Sequence, residues 1–154
     1  MDASTAAGKP ALAASRALRG TLLGLLIALV VQSTLGAGVN LYITTAQSAR
    51  GAGVLAAFRK AISDGGPALA LHAVLATLIT LGSIAALVRA ARTRNWPAIM
   101  ACTAGFACLL GAFVAGAAFV GDTTSGSSMT MAVLTGAAII AYLLAYSSVA
   151  ATRD

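Results

Sequence analysis

The sequence predicts an all-α membrane protein, a four-transmembrane-helix bundle with a short amphipathic interfacial helix in the first outer loop. Three observations carry that expectation. Of 154 residues, 59% are hydrophobic and only 9% charged, against about 25% charged in an ordinary soluble domain. Such a chain lacks the polar groups to cover a globule in water, so its main solvent must be lipid. Its apolar residues fall into four runs of about 20 or more, the length that crosses a bilayer core. Its ten basic residues, against four acidic ones for a net charge of +6, gather at the ends of those runs, where they set topology and meet anionic headgroups. No aromatic-interleaved basic patch is present, so nucleic acid is not an expected partner.

Residues 1–15, MDASTAAGKPALAAS, are small and polar without periodicity and are expected to form a cytoplasmic tail. Arg16 and Arg19 precede the first span, residues 20–43. A basic stretch before LLGLLIALVV also resembles a signal peptide, but the apolar character continues past Gln32–Thr34 into LGAGVNLYI and no A-x-A site follows, so a retained span is expected. Within the connection 44–66, Val54, Leu55, Phe58, Ala61 and Ile62 share one helical face while Arg59, Lys60 and Asp64 lie off it, the pattern of a helix lying on the membrane surface. Gly65-Gly66-Pro67 ends that helix and starts the second span, 67–89, with proline in the tolerated first turn. Arg89, Arg92 and Arg94 make a tight basic loop. Trp96, an interfacial aromatic, opens the third span, 97–120. GDTTSGSS (121–128) reads as a polar turn before the fourth span, 129–149. The whole chain, 1–154, is expected to be one membrane domain.

Lys9, Arg16, Arg19, Arg89, Arg92, Arg94 and Arg153 fall on one side of this layout, and Arg50, Arg59 and Lys60 on the other. Seven against three places both termini in the cytoplasm, with the long loop and the 121–128 turn outside.

Two kinds of internal device stand out. Gly20, Gly24, Ala28, Gln32, Gly36 and Asn40 recur every fourth residue in span one, and Ala104, Cys108, Ala112 and Gly116 in span three. Small residues at that interval let helix backbones approach closely, so the rows are expected to pair, within the chain or between copies, as homo- or hetero-oligomer contacts. Gln32 sits about 18 Å from Gly20 at about 1.5 Å per residue, near the bilayer centre, where its amide needs a partner inside the bundle; Thr77 and Thr80 are the expected ones. Cys102 and Cys108, six residues apart, point about 120° away from each other on a helix, a spacing that fits neither CxxC chemistry nor zinc.

The polar and ligating side chains collect at the outer ends. His72, the one histidine, lies about 7 Å inside the start of span two. Asn40 and Tyr42 close span one on that side, Asp122, Ser127 and Ser128 fall in the outer turn, and Met129 and Met131 open span four. Polar groups inside a membrane are costly and mark a candidate site. Three readings follow. His72 and Asn40 with Asp122 form a small pocket for a lipid headgroup, quinone or other amphiphile. Alternatively, His72 is a haem axial ligand with Met131 or Met129 as the second. In the third, His72 is a structural pin bonded to Asn40, Tyr42 or a loop carbonyl. Catalysis has little support: Ser127 or Ser128 with His72 and Asp122 can be drawn as a triad, but no GxSxG turn frames the serine. Paired carboxylates, a phosphate-binding glycine loop and a metal cluster are missing from the sequence.

LGAGVNLYIT, PALALHAVLATLITLGSIAALVRA and SSMTMA, with the long loop between the first two, resemble a group of small four-span integral membrane proteins of actinobacteria. That group has an NL[YF]-T ending to span one, a histidine early in span two and an S-S-M-x-M-A opening to span four. The resemblance covers the chain from about Gly20 onward; on it, Asn40, Leu41, Tyr42, His72, Ser127, Ser128, Met129 and Met131 carry over. It implies architecture and the outer cluster rather than a reaction. The chain is also faintly similar to one four-helix half of haem A synthase, a family that uses histidine pairs where this chain has His72 alone. Alanine- and arginine-rich, lysine-poor usage fits a high-GC bacterium. The expectation is a multi-pass protein of the bacterial inner membrane, an accessory or binding subunit rather than an enzyme, with no cofactor or, on the alternative reading, haem.

Overall fold

The computed structural model describes the backbone of residues 3–42, 53–64, 66–122 and 125–151, and nearly all of it is helical. Five helices follow in order: α1 (Ala3–Tyr42), α2 (Val54–Ser63), α3 (Gly66–Thr93), α4 (Trp96–Asp122) and α5 (Ser125–Ala151). Four are long and apolar enough to cross a membrane, over Leu12–Val39, Gly66–Thr93, Trp96–Phe119 and Gly126–Ala150. The fifth, α2, is the short helix expected in the first loop. The protein is an all-α four-helix membrane bundle. Its outside is as apolar as its inside: Leu23, Ile27, Leu78, Leu81, Val114 and Leu144 are all exposed, an arrangement that costs nothing where the surroundings are acyl chains.

Two helix boundaries differ from expectation. α1 begins at Ala3, inside the stretch read as a tail. α5 begins at Ser125, so much of the expected 121–128 turn is helical. For α1, hydropathy marks where hydrocarbon begins, whereas a helix runs on while its residues favour it, and alanine, the best helix former, is the commonest residue of 3–15. Nothing in the propensity of Ser125–Ser128 explains the early start of α5. The joints, by contrast, are local. Gly66 has φ +75° between α2 and α3, a conformation open to glycine without strain. Between α3 and α4, Asn95 caps α4: its Oδ1 accepts from the Ala98 N–H at 3.1 Å, and its Nδ2 donates to the Ser148 carbonyl of α5 at 3.2 Å.

The four long helices form a ring in which α1 packs on α3 and α5, and α4 on α5 and α3; α2 rests on α3 and α4. Helices α1 and α4 stand diagonally and do not touch among the described residues. The small-residue rows of spans one and three therefore do not pair within the chain. The connections decide this: short links make α3–α4 and α4–α5 neighbours and leave α1 to close the ring against α3 and α5. Gly20 and Gly24 remain on the outside of α1, with nothing within 4 Å of a Cβ at either position.

Close approach is achieved instead by large side chains seated on single glycines of the neighbouring helix. A Cβ on Gly105 would fall 2.8 Å from the Tyr142 ring, one on Gly111 2.9 Å from Leu134, and one on Gly82 3.0 Å from Leu25. In lipid, where exclusion from water does not drive helices together, such contact supplies the dispersion that holds them.

The interior seam of α1 is the organising pattern. Leu18, Leu22, Leu25 and Leu29 follow four–three–four spacing and are all buried, the knob positions of a left-handed helix pair. With Ala86, Ala90, Ala98, Cys102, Tyr142 and Val149 they fill the half of the bundle that carries Arg16, Arg19, Arg89, Arg92 and Arg94. Two of those arginines tie helix ends together. Arg89 donates to the Ala17 carbonyl and to Thr21 of α1, and Arg19 donates to the Tyr146 hydroxyl at 3.1 Å with its guanidinium 4.8 Å from the ring centre. Continued at the same spacing, the seam reads Gln32, Gly36, Val39. There the large apolar knobs stop, and the bundle is no longer solid.

This packing predicts that Gly105→Ala destabilises the protein by about 1–3 kcal/mol, because the fully buried Tyr142 ring cannot move aside. Gly24→Ala should be neutral or stabilising by up to about 1 kcal/mol through helix propensity. Unfolding in mixed detergent with increasing dodecyl sulfate reads both; equal stability of the two variants would contradict the seating of Tyr142 on α4.

Candidate functional site

Where the leucine seam gives way, the four long helices line a partly open cavity of about 450 Å³, with Ala61 of α2 among its walls. The enclosure follows from the residues on its inner faces. Gly36, Ala73, Ala76, Ala112 and Gly136 keep the backbones in place but leave the middle empty, while Phe113, Phe119, Leu109 and Ile79 bound it with apolar surface.

One wall is polar. The Gln32 side-chain nitrogen donates to the backbone carbonyl of His72 at 3.0 Å and lies 3.1 Å from His72 Nε2. A carbonyl oxygen only accepts, so the amide must present its NH₂ to His72, and its second proton then falls on Nε2. Nε2 is therefore the acceptor, and the neutral ring carries its proton on Nδ1. Both Nδ1 of His72 and Oε1 of Gln32 are buried without a partner. One donor and one acceptor are thus left without a partner on residues that line the cavity, each atom itself closed off from solvent; such groups cost about 1–3 kcal/mol each.

His72 is fitted tightly against α1. A Cβ on Gly36 would meet His72 Cε1 at 2.9 Å, with Nδ1 at 3.6 Å and Nε2 at 3.8 Å. The nitrogen-bearing edge of the ring therefore faces the α1 backbone at Gly36. Iron ligation asks for a ring nitrogen facing open space, and here Nε2 is taken by Gln32. The residues as arranged do not fit a haem axial ligand at His72.

The expected partners of Gln32 were Thr77 and Thr80. Both hydroxyls instead donate to carbonyls of their own helix, Ala73 at 3.0 Å and Ala76 at 2.9 Å. Gln32 stands instead at the level of His72, six residues into α3 and more than a turn before Thr77 and Thr80.

Of the sequence-nominated ligand residues, His72, Ser128 and Met131 line the cavity, as do Gln32 and Thr80. Met129 does not: it is 71% exposed on the outside of α5, because two residues along a helix turn a side chain about 160° away from its neighbour Met131. The side chains of Asn40, Tyr42 and Asp122 lie outside the described residues. The alanines and glycines of the walls were missed; the signal that finds them is the α1 seam changing from leucine to Gln32 and Gly36. Among the described residues, no group of three or more His, Cys, Asp or Glu comes together to hold a metal. Comparison of the chain with models of known protein families, with curated proteins and with solved structures gives no match.

The geometry predicts a measurable coupling between Gln32 and His72. Either Gln32→Leu or His72→Phe alone strands a polar partner, whereas the double variant removes both. A double-mutant cycle on unfolding free energy should give a coupling of about 0.5–1.5 kcal/mol, the range for hydrogen bonds between membrane helices. Strictly additive losses would dismiss the bond.

Proposed function

We propose that this chain is a binding subunit of the bacterial inner membrane that holds a small amphiphile, such as a lipid or a quinone-like molecule, in the cavity beside His72. The observation that carries the reading is the cavity itself: about 450 Å³, walled mainly by apolar side chains, with the polar residues Gln32 and His72 together on one wall. Concave, mostly apolar sites with a few convergent polar groups are the usual form of small-molecule sites. The lack of a catalytic constellation in the sequence supports binding rather than turnover.

Orientation is part of the same proposal. Arg16, Arg19, Arg89, Arg92 and Arg94 share one end of the bundle, and an excess of bases marks the cytoplasmic side. Both termini are then cytoplasmic, and α2 and the cavity lie toward the outer leaflet. Reporter fusions check this: a phosphatase fused after Asp154 should be inactive and a fluorescent protein there bright, with the opposite result for insertions in residues 44–52. Reversed signals would invert the assignment.

Cavity binding is tested by filling the space. Gly136 lines the cavity, and a Cβ there meets nothing within 4 Å, so a side chain can start from this position, and Gly136→Leu adds bulk and removes a helix-disfavouring glycine worth about 1 kcal/mol. Mass spectrometry of molecules co-purified with the folded protein should show a species that is depleted in Gly136→Leu. An identical profile in both proteins refutes the reading. A Soret band in protein made with haem supplied, lost in His72→Ala, would replace the amphiphile with haem.

A further inference from the structure

We infer that a hydrocarbon chain of a membrane lipid enters the cavity sideways, between α1 and α5, while its headgroup stays outside the bundle. This rests on the binding reading above and adds which part of the amphiphile is held and by which side it enters.

Exposure locates the mouth. Of the residues that line the cavity, Ser33, Ala37 and Ala132 are the exposed ones. The first two stand on α1 and the third on α5, so the wall is open between those helices. The other sides are covered. On α3 and α4 every lining residue is buried or half-buried, and α2 rests on both helices with its Ala61 buried beside Val39, Leu69 and Ala73. The His72 ring closes α1 on α3 at Gly36, and Leu134 and Met131 of α5 close on Gly111 and Gly116 of α4. Toward the arginines, the bond from Arg19 to Tyr146 joins α1 to α5. The gap that remains is flanked by one serine and two alanines, side chains that leave it free.

The level of the mouth decides what meets it. Ser33 lies about 9 Å along α1 from Val39, and Ala132 about 9 Å along α5 from Gly126. Those two residues end the apolar runs of their helices on the side away from the arginines. A gap that far inside two spanning helices opens on acyl chains rather than on headgroups.

The interior favours the same molecule. No Asp, Glu, Lys or Arg lines the cavity among the described residues, so a charged headgroup would be buried without a counter-charge. Water is a poor filling, since a buried water takes about two to four polar partners. The hydroxyls of Ser33, Thr80 and Thr135 donate into their own helices, and the amide of Gln32 donates to His72. Left empty, the space would cost its lining the dispersion contacts that a chain restores. At about 450 Å³ it is some three times the apolar cavity of about 150 Å³ that stays dry and takes up benzene, which is room for a chain.

The experiment uses the full chain carrying Trp96→Phe, which removes the one native tryptophan, and Phe113→Trp, which puts a fluorophore on the cavity wall. It is reconstituted at one copy per nanodisc in phosphatidylcholine whose acyl chains carry bromine, a contact quencher, or none. Brominated chains should quench the tryptophan at position 113. Ala37→Phe with Ala132→Phe, which fills the mouth, should remove most of that quenching. Val133→Phe, at an exposed position next to Ala132 but off the cavity, should leave it unchanged. All three phenylalanines fall at exposed positions, so the fold is expected to hold, and Phe119→Trp is a second reporter on the same wall.

Quenching that survives the paired phenylalanines overturns entry between α1 and α5 and leaves chain binding standing. No quenching at either reporter, with a co-purified species still depleted by Gly136→Leu, overturns the hydrocarbon chain and leaves cavity binding standing. Quenching that is lost in nanodiscs holding two copies assigns the mouth to a second copy of the chain and overturns the lipid as its occupant. Absence of both quenching and a co-purified species refutes the binding reading together with this one.

Discussion

An amide in hydrocarbon has to find its partners within the protein, and in this bundle Gln32 finds both in one residue. Its NH₂ meets the carbonyl and the ring of His72, which ties α1 to α3 at a single level of the membrane. Much else follows from that tie. Gly36 must be glycine for the ring to lie against α1. The ring must keep its proton on the far nitrogen, and the amide oxygen must stay unpaired. A leucine at position 32 would continue the apolar seam of Leu18, Leu22, Leu25 and Leu29 by one more step. The glutamine interrupts it.

The two halves of the molecule thus answer to different constraints. Toward the arginines, large side chains sit on small ones: Tyr142 on Gly105, Leu25 on Gly82. Packing there is dense, and the arginines lock the helix ends through neutral partners rather than through ion pairs. Toward His72 the small residues face one another across empty space. Small residues do opposite work in the two halves, admitting a neighbour in one and making room in the other.

This duality also explains what was legible in the sequence. The four spans and α2 were, because run length and amphipathic spacing depend on the chain alone. The first turns of α1 and α5 were not, because helix formation at Ala3–Ser15 and Ser125–Ser128 continues beyond the hydrocarbon that hydropathy detects. His72, Ser128 and Met131 were found as a cluster, since depth can be counted along each helix. The partner of Gln32 was missed because depth counted along separate helices does not fix the level at which they meet; the contact falls at His72, more than a turn before Thr77. Fourth-residue spacing showed which small residues share a face of α1 or α4, but the neighbour of that face is set by connection lengths and ring order.

The leucine-filled half has a consequence for transport across the bilayer. Leu18, Leu22, Leu25 and Leu29, with Tyr142 fully buried among them, leave the cavity closed at its base, so the bundle has the form of a cup rather than a tube. Among the described residues, the space beside His72 is separated from the arginine-bearing end of the bundle by the whole depth of the packed half.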